Sequence, residues 1–205
     1  MVRNLDPFRR FLEVSAQSNG KIINYAKIAR DVGVNEKTVK EYFSILEDTM
    51  IGFYLNPFHH SFRKRLSQKP KFYYFDTGVV RALSRTLTLP LQERTSAYGD
   101  AFEHFIILEC MRLASIYKPE YRFSYLRTKD DAEVDLIVDR PGLPYLFIEI
   151  KSGAVVYETQ LKPLISMATD FANCEAICFS QDPYTKQYEG ATVYPWKLGV
   201  QYYFS

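Results

Sequence analysis

Hydrophobic positions in the first fifty residues recur at helical spacing and predict three helices, over 5–17, 25–31 and 36–48. Asn35 is placed to cap the third helix, and Gly33 supplies a tight turn before it. The buried stripe predicted for that helix is Val39, Tyr42, Phe43 and Leu46. Two helices joined by a short glycine-containing turn are typical of a helix-turn-helix.

A basic loop follows between two strand-like runs, 50–57 and 71–75. It reads HHSFRKRLSQKP and has no acid; its basic residues are Arg63, Lys64, Arg65 and Lys69. A short helix is expected over 78–84. This pattern predicts a winged helix over residues 1–84. DNA contact would then use the start of the third helix for bases and the loop for phosphates. The base-contacting residues would be Asn35, Lys37, Thr38 and Lys40. The alternative is a protein-interaction or spacer domain whose charges are solvated.

Residues 85–98 show no clear period and predict a connector, after which 99–205 predict a second domain. An amphipathic helix over 99–117 carries Glu103 close to its apolar face. The remaining pattern predicts a helix over 158–171, a polar loop over 182–190, and an aromatic tail after Trp196. The predicted strands are 121–127, 132–139, 145–151, 174–180 and 191–196. We expect the tail to pack on the domain's own core, with an oligomer interface or a missing domain as the alternatives.

Strand alternation brings three charged residues together. Val134, Leu136 and Val138 are expected on one face of their strand, which leaves Asp135 on the other. The turn PGLP at 141–144 joins this strand to the next as a hairpin. If the apolar faces match, Asp135, Glu149 and Lys151 share the opposite side of the sheet.

Two neighbouring carboxylates repel each other, and a hard divalent cation relieves that conflict. Mg²⁺, with Mn²⁺ as its substitute, would be held by Asp135 and Glu149, with Glu103 completing the site. Such a metal activates water for attack on a phosphodiester, and Lys151 would orient that water or stabilise the developing charge. The alternative is a salt-bridge cluster in which Lys151 neutralises the carboxylates.

Composition narrows the class of protein. The chain has 205 residues and a net charge of +2. Residues 1–90 hold 15 basic and 8 acidic side chains (+7), and residues 91–205 hold 11 and 16 (−5), which suggests two modules with different partners. No apolar run is long enough to span a membrane or to form a signal peptide. Three cysteines without a CxxC pair fit a cytoplasmic protein. Neither GxxxxGK[ST] nor GxGxxG occurs, so no nucleotide site is expected.

The order helix-Glu, strand-Asp, strand-Glu-x-Lys resembles the PD-(D/E)XK nuclease superfamily, with its restriction-endonuclease-like fold. More narrowly, the chain resembles the C-terminal region of bacterial and archaeal AAA-type ATPases. In these an ATPase core precedes a winged helix and a domain of unknown function with the nuclease-like fold. The matching stretches are IARDVGVNEKTVKEYFSILEDTMIGFYL, KFYYFDTGVVRAL, GDAFEHFIILE, SYLRT, EVDLIV and FIEIKS. The ATPase core itself is missing from the chain.

The resemblance implies a central mixed sheet with helices on both faces. It also makes Asp135 and Glu149 metal ligands, Lys151 the catalytic lysine and Glu103 the accessory helix carboxylate. We therefore expect an α/β protein that binds DNA and cleaves it with metal-activated water, as part of an AAA-type ATPase system. A catalytically silent DNA- or partner-binding regulator is the first alternative, and a purely structural oligomerisation region is the second.

Overall fold

A computed structural model describes residues 5–58, 69–129, 132–171 and 173–205. The chain divides into two compact units. The first contains residues up to Asn56 and a second segment that ends at Pro90; the second contains Pro57, Phe58 and everything from Leu91 to Ser205. No helix in the described parts of the chain is both long and apolar enough to cross a membrane.

The first unit consists of helices and one hairpin. Its helices are α1 (Leu5–Gln17), α2 (Tyr25–Val32), α3 (Glu36–Asp48) and α4 (Thr77–Leu83). The antiparallel hairpin of β1 (Gly52–Leu55) and β2 (Lys71–Tyr74) lies between α3 and α4 in the sequence. The stripe predicted for α3 is buried in a core that includes Phe11 and Phe72, and the Phe43 ring lies 4.9 Å from each of them.

Local signals in the sequence set the boundaries of these helices. The side chains of Asn24 and Asn35 cap α2 and α3 by accepting hydrogen bonds from backbone N–H groups. Gly33 ends α2 with a φ of 80°, in the left-handed region that glycine adopts without strain. The bases Arg63, Lys64 and Arg65 lie outside the described residues.

The second unit is built on a six-stranded mixed sheet of order β3-β4-β5-β6-β8-β7. Strands β5, β6 and β8 are mutually parallel, and the other neighbours are antiparallel. The elements in chain order are α5 (Ser96–Tyr117), β3 (Arg122–Arg127), β4 (Glu133–Asp139), β5 (Tyr145–Lys151), a 3₁₀ turn (Glu158–Gln160), α6 (Lys162–Thr169), β6 (Cys174–Ser180), β7 (Lys186–Tyr188), β8 (Ala191–Pro195) and α7 (Trp196–Phe204). The predicted α/β class, with a central mixed sheet flanked by helices, is confirmed.

Helices cover both faces of this sheet. Helix α6 supplies Leu164 and Met167 to a core with Phe147 and Cys178. Helix α7 packs on the other face, where Gly199 lets it approach the ring of Phe179 closely. The aromatic tail predicted after the last strand is therefore largely this helix, which packs on the domain's own sheet.

Phe58 belongs to the second unit although it follows β1 of the first. Its ring lies 5.3 Å from Tyr145, 5.7 Å from Phe171 and 6.4 Å from Phe147. Its backbone N–H donates to the carbonyl of Tyr125 at 2.6 Å. The segment after β1 therefore contributes a side chain to the second core, which the sequence did not predict.

The helix predicted over 158–171 is two elements, the 3₁₀ turn Glu158–Gln160 and α6 (Lys162–Thr169). Three further local predictions were wrong. Val134 was expected to share a face with Leu136 and Val138, but a register shift between β3 and β4 places it in the same core as Ile137. A β-bulge of this kind adds one residue to a strand and breaks strict alternation. The polar loop 182–190 contains β7, and the strand expected to end at Trp196 ends at Pro195, where α7 begins.

Candidate functional site

Asp135 lies where β4 and β5 stop pairing. The antiparallel register of these strands runs from Val138 opposite Leu146 to Leu136 opposite Ile148. At the next step the Asp135 carboxylate accepts a hydrogen bond of 2.7 Å from the backbone N–H of Ile150. The side chain of Asp135 is therefore fixed against β5 by the main chain, beside Glu149.

Glu149 and Lys151 form an ion pair along the same face of β5. The side chains are 12% and 34% exposed, respectively, so the pair is reachable from solvent mainly through the lysine. Burial lowers the pKa of Lys151, but the negative charges of Glu149 and Asp135 outweigh it, and the pKa lies above its ordinary value. The ammonium group therefore stays charged and offsets the two carboxylates.

Cys178 forms the apolar floor of this cluster. It lies opposite Glu149 in the parallel register of β5 and β6, and it is fully buried. Burial raises the pKa of its thiol, and the charge of Glu149 raises it further. Because the thiolate is the nucleophilic form, this cysteine is inert and contributes packing.

Glu103 lies on α5, a helix that packs against β5. The first turn of α5 is tied to the ends of β5 and β6 by Gln181, which follows β6. The side-chain nitrogen of Gln181 donates to the hydroxyl of Tyr98 at 3.0 Å and to the carbonyl of Ser152 at 2.6 Å. The first turn of α5 is thus tied to Ser152, the residue after Lys151. Glu103 lies one turn further along, and within the described residues it is not grouped with Asp135 and Glu149 closely enough to share a metal ion.

The donor set suits a hard divalent cation. Asp135 and Glu149 supply carboxylate oxygens next to each other, and Mg²⁺ commonly uses only one or two carboxylates together with water. Among the described residues, no three His, Cys, Asp or Glu side chains are grouped closely enough to hold a metal ion. A metal at this position would therefore have two carboxylate ligands and an open coordination sphere.

Asp182 is a buried carboxylate near the same ends of β5 and β6, and sequence reasoning missed it. It is 1% exposed and forms an ion pair with Lys186. Its oxygens accept hydrogen bonds of 3.3 Å from the backbone N–H groups of Val156 and Tyr184. Burial raises its pKa, but these hydrogen bonds and the lysine outweigh it, so the pKa lies below its ordinary value.

A sequence signal for Gln181 and Asp182 exists. Both follow a hydrophobic strand directly, and the carboxyl ends of parallel strands are where α/β sheets place their ligands. The sequence predicts the polar loop 182–190, but it does not indicate that Asp182, the first residue of that loop, accepts a hydrogen bond from the segment that follows β5.

Two of the residues predicted to contact nucleic acid at the start of α3 are bonded to each other. The Asn35 side chain accepts a 2.8 Å hydrogen bond from the Thr38 N–H. Lys37 is exposed, and Lys40 is exposed with its ammonium 5.3 Å from the centre of the Tyr25 ring. Lys69 is also exposed. Helix α3 carries more exposed acids than bases, since Glu36, Glu41, Glu47 and Asp48 share it with the two lysines.

These features define a two-unit protein whose second unit is a mixed α/β domain. Asp135, Glu149 and Lys151 form an acid–lysine cluster where the central strands of its sheet end. Two family profiles match the chain. Residues 1–90 match a domain of unknown function, DUF8612, and residues 98–198 match a second, DUF4143.

Two uncharacterized mycobacterial proteins are similar to the chain. They are Mb2031c of Mycobacterium bovis and Rv2008c of Mycobacterium tuberculosis, each 33% identical over 143 residues. The match covers 70% of this chain but only 31% of either relative.

One solved structure is similar over 91% of this chain and 70% of its own, with 12% identity and a TM-score of 0.35. It is a refined half-complex from a tetradecameric assembly of Thermococcus gammatolerans McrB AAA+ hexamers with bound McrC. That TM-score is too low to establish a shared fold.

Proposed function

We propose that the second unit is a metal-dependent nuclease domain of the PD-(D/E)XK type. The observation that carries the proposal is the cluster of Asp135, Glu149 and Lys151, three residues that the superfamily's motif order singles out. The match of 98–198 to DUF4143 agrees with the narrower resemblance to AAA-associated domains. We accordingly propose that the chain acts within an AAA-type ATPase system.

In this proposal each residue has a defined role. Asp135 and Glu149 hold a divalent cation through their carboxylate oxygens, and Glu103 on α5 is the accessory carboxylate, which would contact a metal-bound water and not the metal itself. Once bound, Mg²⁺ or Mn²⁺ supplies activation of the attacking water and neutralisation of phosphate charge. Lys151 donates hydrogen bonds to the attacking water or to the phosphodiester oxygen on which charge develops. The main-chain N–H of Ile150 holds the Asp135 carboxylate in place.

A direct test uses purified protein and a mixture of duplex and single-stranded DNA with Mg²⁺ or Mn²⁺. Wild-type protein is expected to cut, and Asp135→Asn to lose cutting while its circular dichroism stays native. Lys151→Met is expected to lose about a hundredfold or more in rate, the scale seen when a charge-stabilising donor is removed. Asp139→Asn is the matched control, because Asp139 is an exposed acid on the same strand. Normal cutting by Asp135→Asn would refute the site.

A catalytically silent domain is the second candidate, and the ion pair between Lys151 and Glu149 favours it. In that case the lysine replaces the metal as the partner of the carboxylates, and the domain binds DNA or a protein without cleaving. Stable folding in EDTA, with DNA binding but no cleavage across duplex, single-stranded and branched substrates, would support this candidate over the nuclease.

We propose that the first unit is a winged helix that contacts DNA. Support comes from the helix order, the hairpin after α3, and exposed bases at Lys37, Lys40 and Lys69. Because α3 carries four exposed acids, the basic segment 63–69 would supply most of the phosphate contacts. Binding should therefore weaken steeply with salt and weaken further in Lys37→Ala/Lys40→Ala. A Glu36→Gln/Glu41→Gln variant, which removes charge of the opposite sign, should bind more tightly.

A further inference from the structure

Two tyrosines are strongly exposed on the loops that follow β5 and β6. Tyr157 is 64% exposed and Tyr184 is 73% exposed. A tyrosine ring offers large apolar faces, and the fold gains little from leaving them in water. Both loops leave the sheet at the end where Lys151 of β5 lies opposite Ser180 of β6.

One buried carboxylate fixes the backbone beneath both rings. Asp182 accepts the N–H of Tyr184 with one oxygen and the N–H of Val156, the neighbour of Tyr157, with the other, each at 3.3 Å. Lys186 completes the carboxylate's partners through an ion pair. The two loops are therefore held at a fixed separation by a group that is itself buried.

Further hydrogen bonds hold the same loops. The N–H of Tyr157 donates to the side-chain oxygen of Gln160 at 2.9 Å. The hydroxyl of Tyr188 donates to the carbonyl of Val156 at 3.0 Å, and the N–H of Gln181 donates to the carbonyl of Gly153 at 3.2 Å. The exposed rings thus project from backbone that is already ordered, which lowers the entropic cost of binding a ligand.

The loops that carry the two tyrosines are hydrogen-bonded to each other next to the acid–lysine cluster. Ser152 directly follows Lys151, and its carbonyl accepts a hydrogen bond from Gln181, the residue before Asp182. Two partly exposed cations flank the rings in sequence: Lys151 is 34% exposed and Lys186 is 32% exposed. Aromatic rings and cations carried by the same two segments of the chain match the two parts of a nucleic-acid strand, its bases and its phosphates.

We propose that Tyr157 and Tyr184 are a stacking platform for unpaired bases, so that the second unit binds single-stranded nucleic acid. The inference that this strand is the substrate of the acid–lysine cluster rests on the proposed function. A duplex keeps the faces of its bases stacked on each other, so they are not available to these rings, whereas every base of a single strand is. Stacking of this kind is tolerant of sequence.

The test measures fluorescence anisotropy of a short labelled oligothymidylate and of a labelled hairpin duplex of similar length, both in EDTA. Wild-type protein is expected to bind the single strand more tightly than the duplex. Tyr157→Ala and Tyr184→Ala are each expected to weaken single-strand binding about fivefold to a hundredfold, as loss of a stacking aromatic does. The corresponding phenylalanine variants keep the ring and should bind like wild type.

Tyr117→Ala is the matched control. Tyr117 is 56% exposed but lies at the far end of α5, about 30 Å along the helix from its first turn. This variant is expected to bind normally. The proposal is overturned if wild-type protein does not bind the single strand, if the two alanine variants bind it normally, or if Tyr117→Ala weakens binding as much as they do.

Because the binding assay contains no metal, its result is separate from that of the nuclease test. Tyrosine-dependent binding without any cleavage in Mg²⁺ or Mn²⁺ refutes the proposed function and supports the platform. Cleavage that Asp135→Asn abolishes, together with tyrosine-independent binding, refutes the platform and supports the nuclease.

Discussion

Lys151 lies against the carboxylate of Glu149, two residues earlier on the same strand. In a regular strand such residues point to the same side, so the pair follows directly from the E-x-K spacing. The contact means that the folded protein already neutralises part of the charge that a metal would neutralise. In the proposed nuclease, lysine and metal would therefore compete for the same carboxylate oxygens.

Removing Lys151 should destabilise the fold and strengthen its response to metal. Lys151→Met removes the ammonium group that contacts Glu149, and we expect a loss of about 1 kcal/mol in the free energy of unfolding, since the lysine is a third exposed. Glu149→Gln/Lys151→Met should recover part of that loss. Denaturant unfolding of the single and double variants measures this coupling.

Metal binding gives the complementary measurement on the same variant. Mn²⁺ should raise the melting temperature of Lys151→Met more than that of wild type, because Lys151 then no longer competes with it for Glu149. Equal shifts in the two proteins would contradict competition between lysine and metal.

Asp182 should make the stability of the second unit depend on acidic pH. Its pKa is lowered from an ordinary value of 3.8, so the folded state favours the charged carboxylate. The stabilisation is fully present above 3.8 and is lost as pH falls through the lowered pKa. Asp182→Asn should therefore be less stable than wild type at pH 6, and the difference should shrink below about pH 4. Thermal unfolding across this range checks it; a constant difference would contradict the assignment.

Gly199 should not tolerate even a methyl group. A Cβ there would lie 2.8 Å from a ring carbon of Phe179 and 2.9 Å from the Cβ of Tyr194, so α7 would have to move off the sheet. We expect Gly199→Ala to cost about 1–3 kcal/mol, the usual range for overpacking. Gly99→Ala is the control, since its Cβ would lie 3.8 Å from the Ser152 hydroxyl in ordinary contact. That helical substitution should stabilise by up to about 1 kcal/mol.

The first unit offers a test of a buried hydrogen bond. The hydroxyls of Ser15 and Tyr74 lie 2.6 Å apart in the core, and burial raises the pKa of Tyr74 to about 12. Tyr74→Phe should cost about 1 kcal/mol, and Ser15→Ala/Tyr74→Phe should cost less than the sum of the single changes. Absorbance titration of wild type should show one tyrosine that ionises near pH 12 and is missing in Tyr74→Phe.

The elements with a strong period were predictable from the sequence. The stripe of α3, the PGLP turn and the strands around it were assigned from spacing alone, because each residue pattern repeats on one face. The proximity of Glu149 and Lys151 follows from the same rule. Matching the apolar faces of the hairpin predicts Asp135 beside them, and in the structure its carboxylate accepts a hydrogen bond from the Ile150 N–H of the neighbouring strand.

The predictions that were wrong depend on contacts with neighbouring elements. The bulge in β4 follows from pairing with β3, so alternation within the segment could not reveal that Val134 changes face. Strand β7 is three residues long and polar, and it forms by pairing with β8. Helix α7 has two polar residues, Lys197 and Gln201, and its exposed side also carries Leu198 and Tyr202, so its polar face is weakly marked in the sequence. Asp182 follows a predicted strand, but the hydrogen bonds it accepts from Val156 and Tyr184 depend on how two loops come together.

The position of Phe58 governs how the gene can be divided. A fragment that begins at Leu91 would encode the whole sheet but not the ring that lies among Tyr145, Phe147 and Phe171. The missing phenylalanine corresponds to a large-to-small core replacement, which costs about 3–5 kcal/mol. Dividing the gene once, between the two family matches, therefore leaves a cavity in the core of the second domain. A permuted gene that keeps residues 57–58 joined to the second domain would encode its complete hydrophobic core.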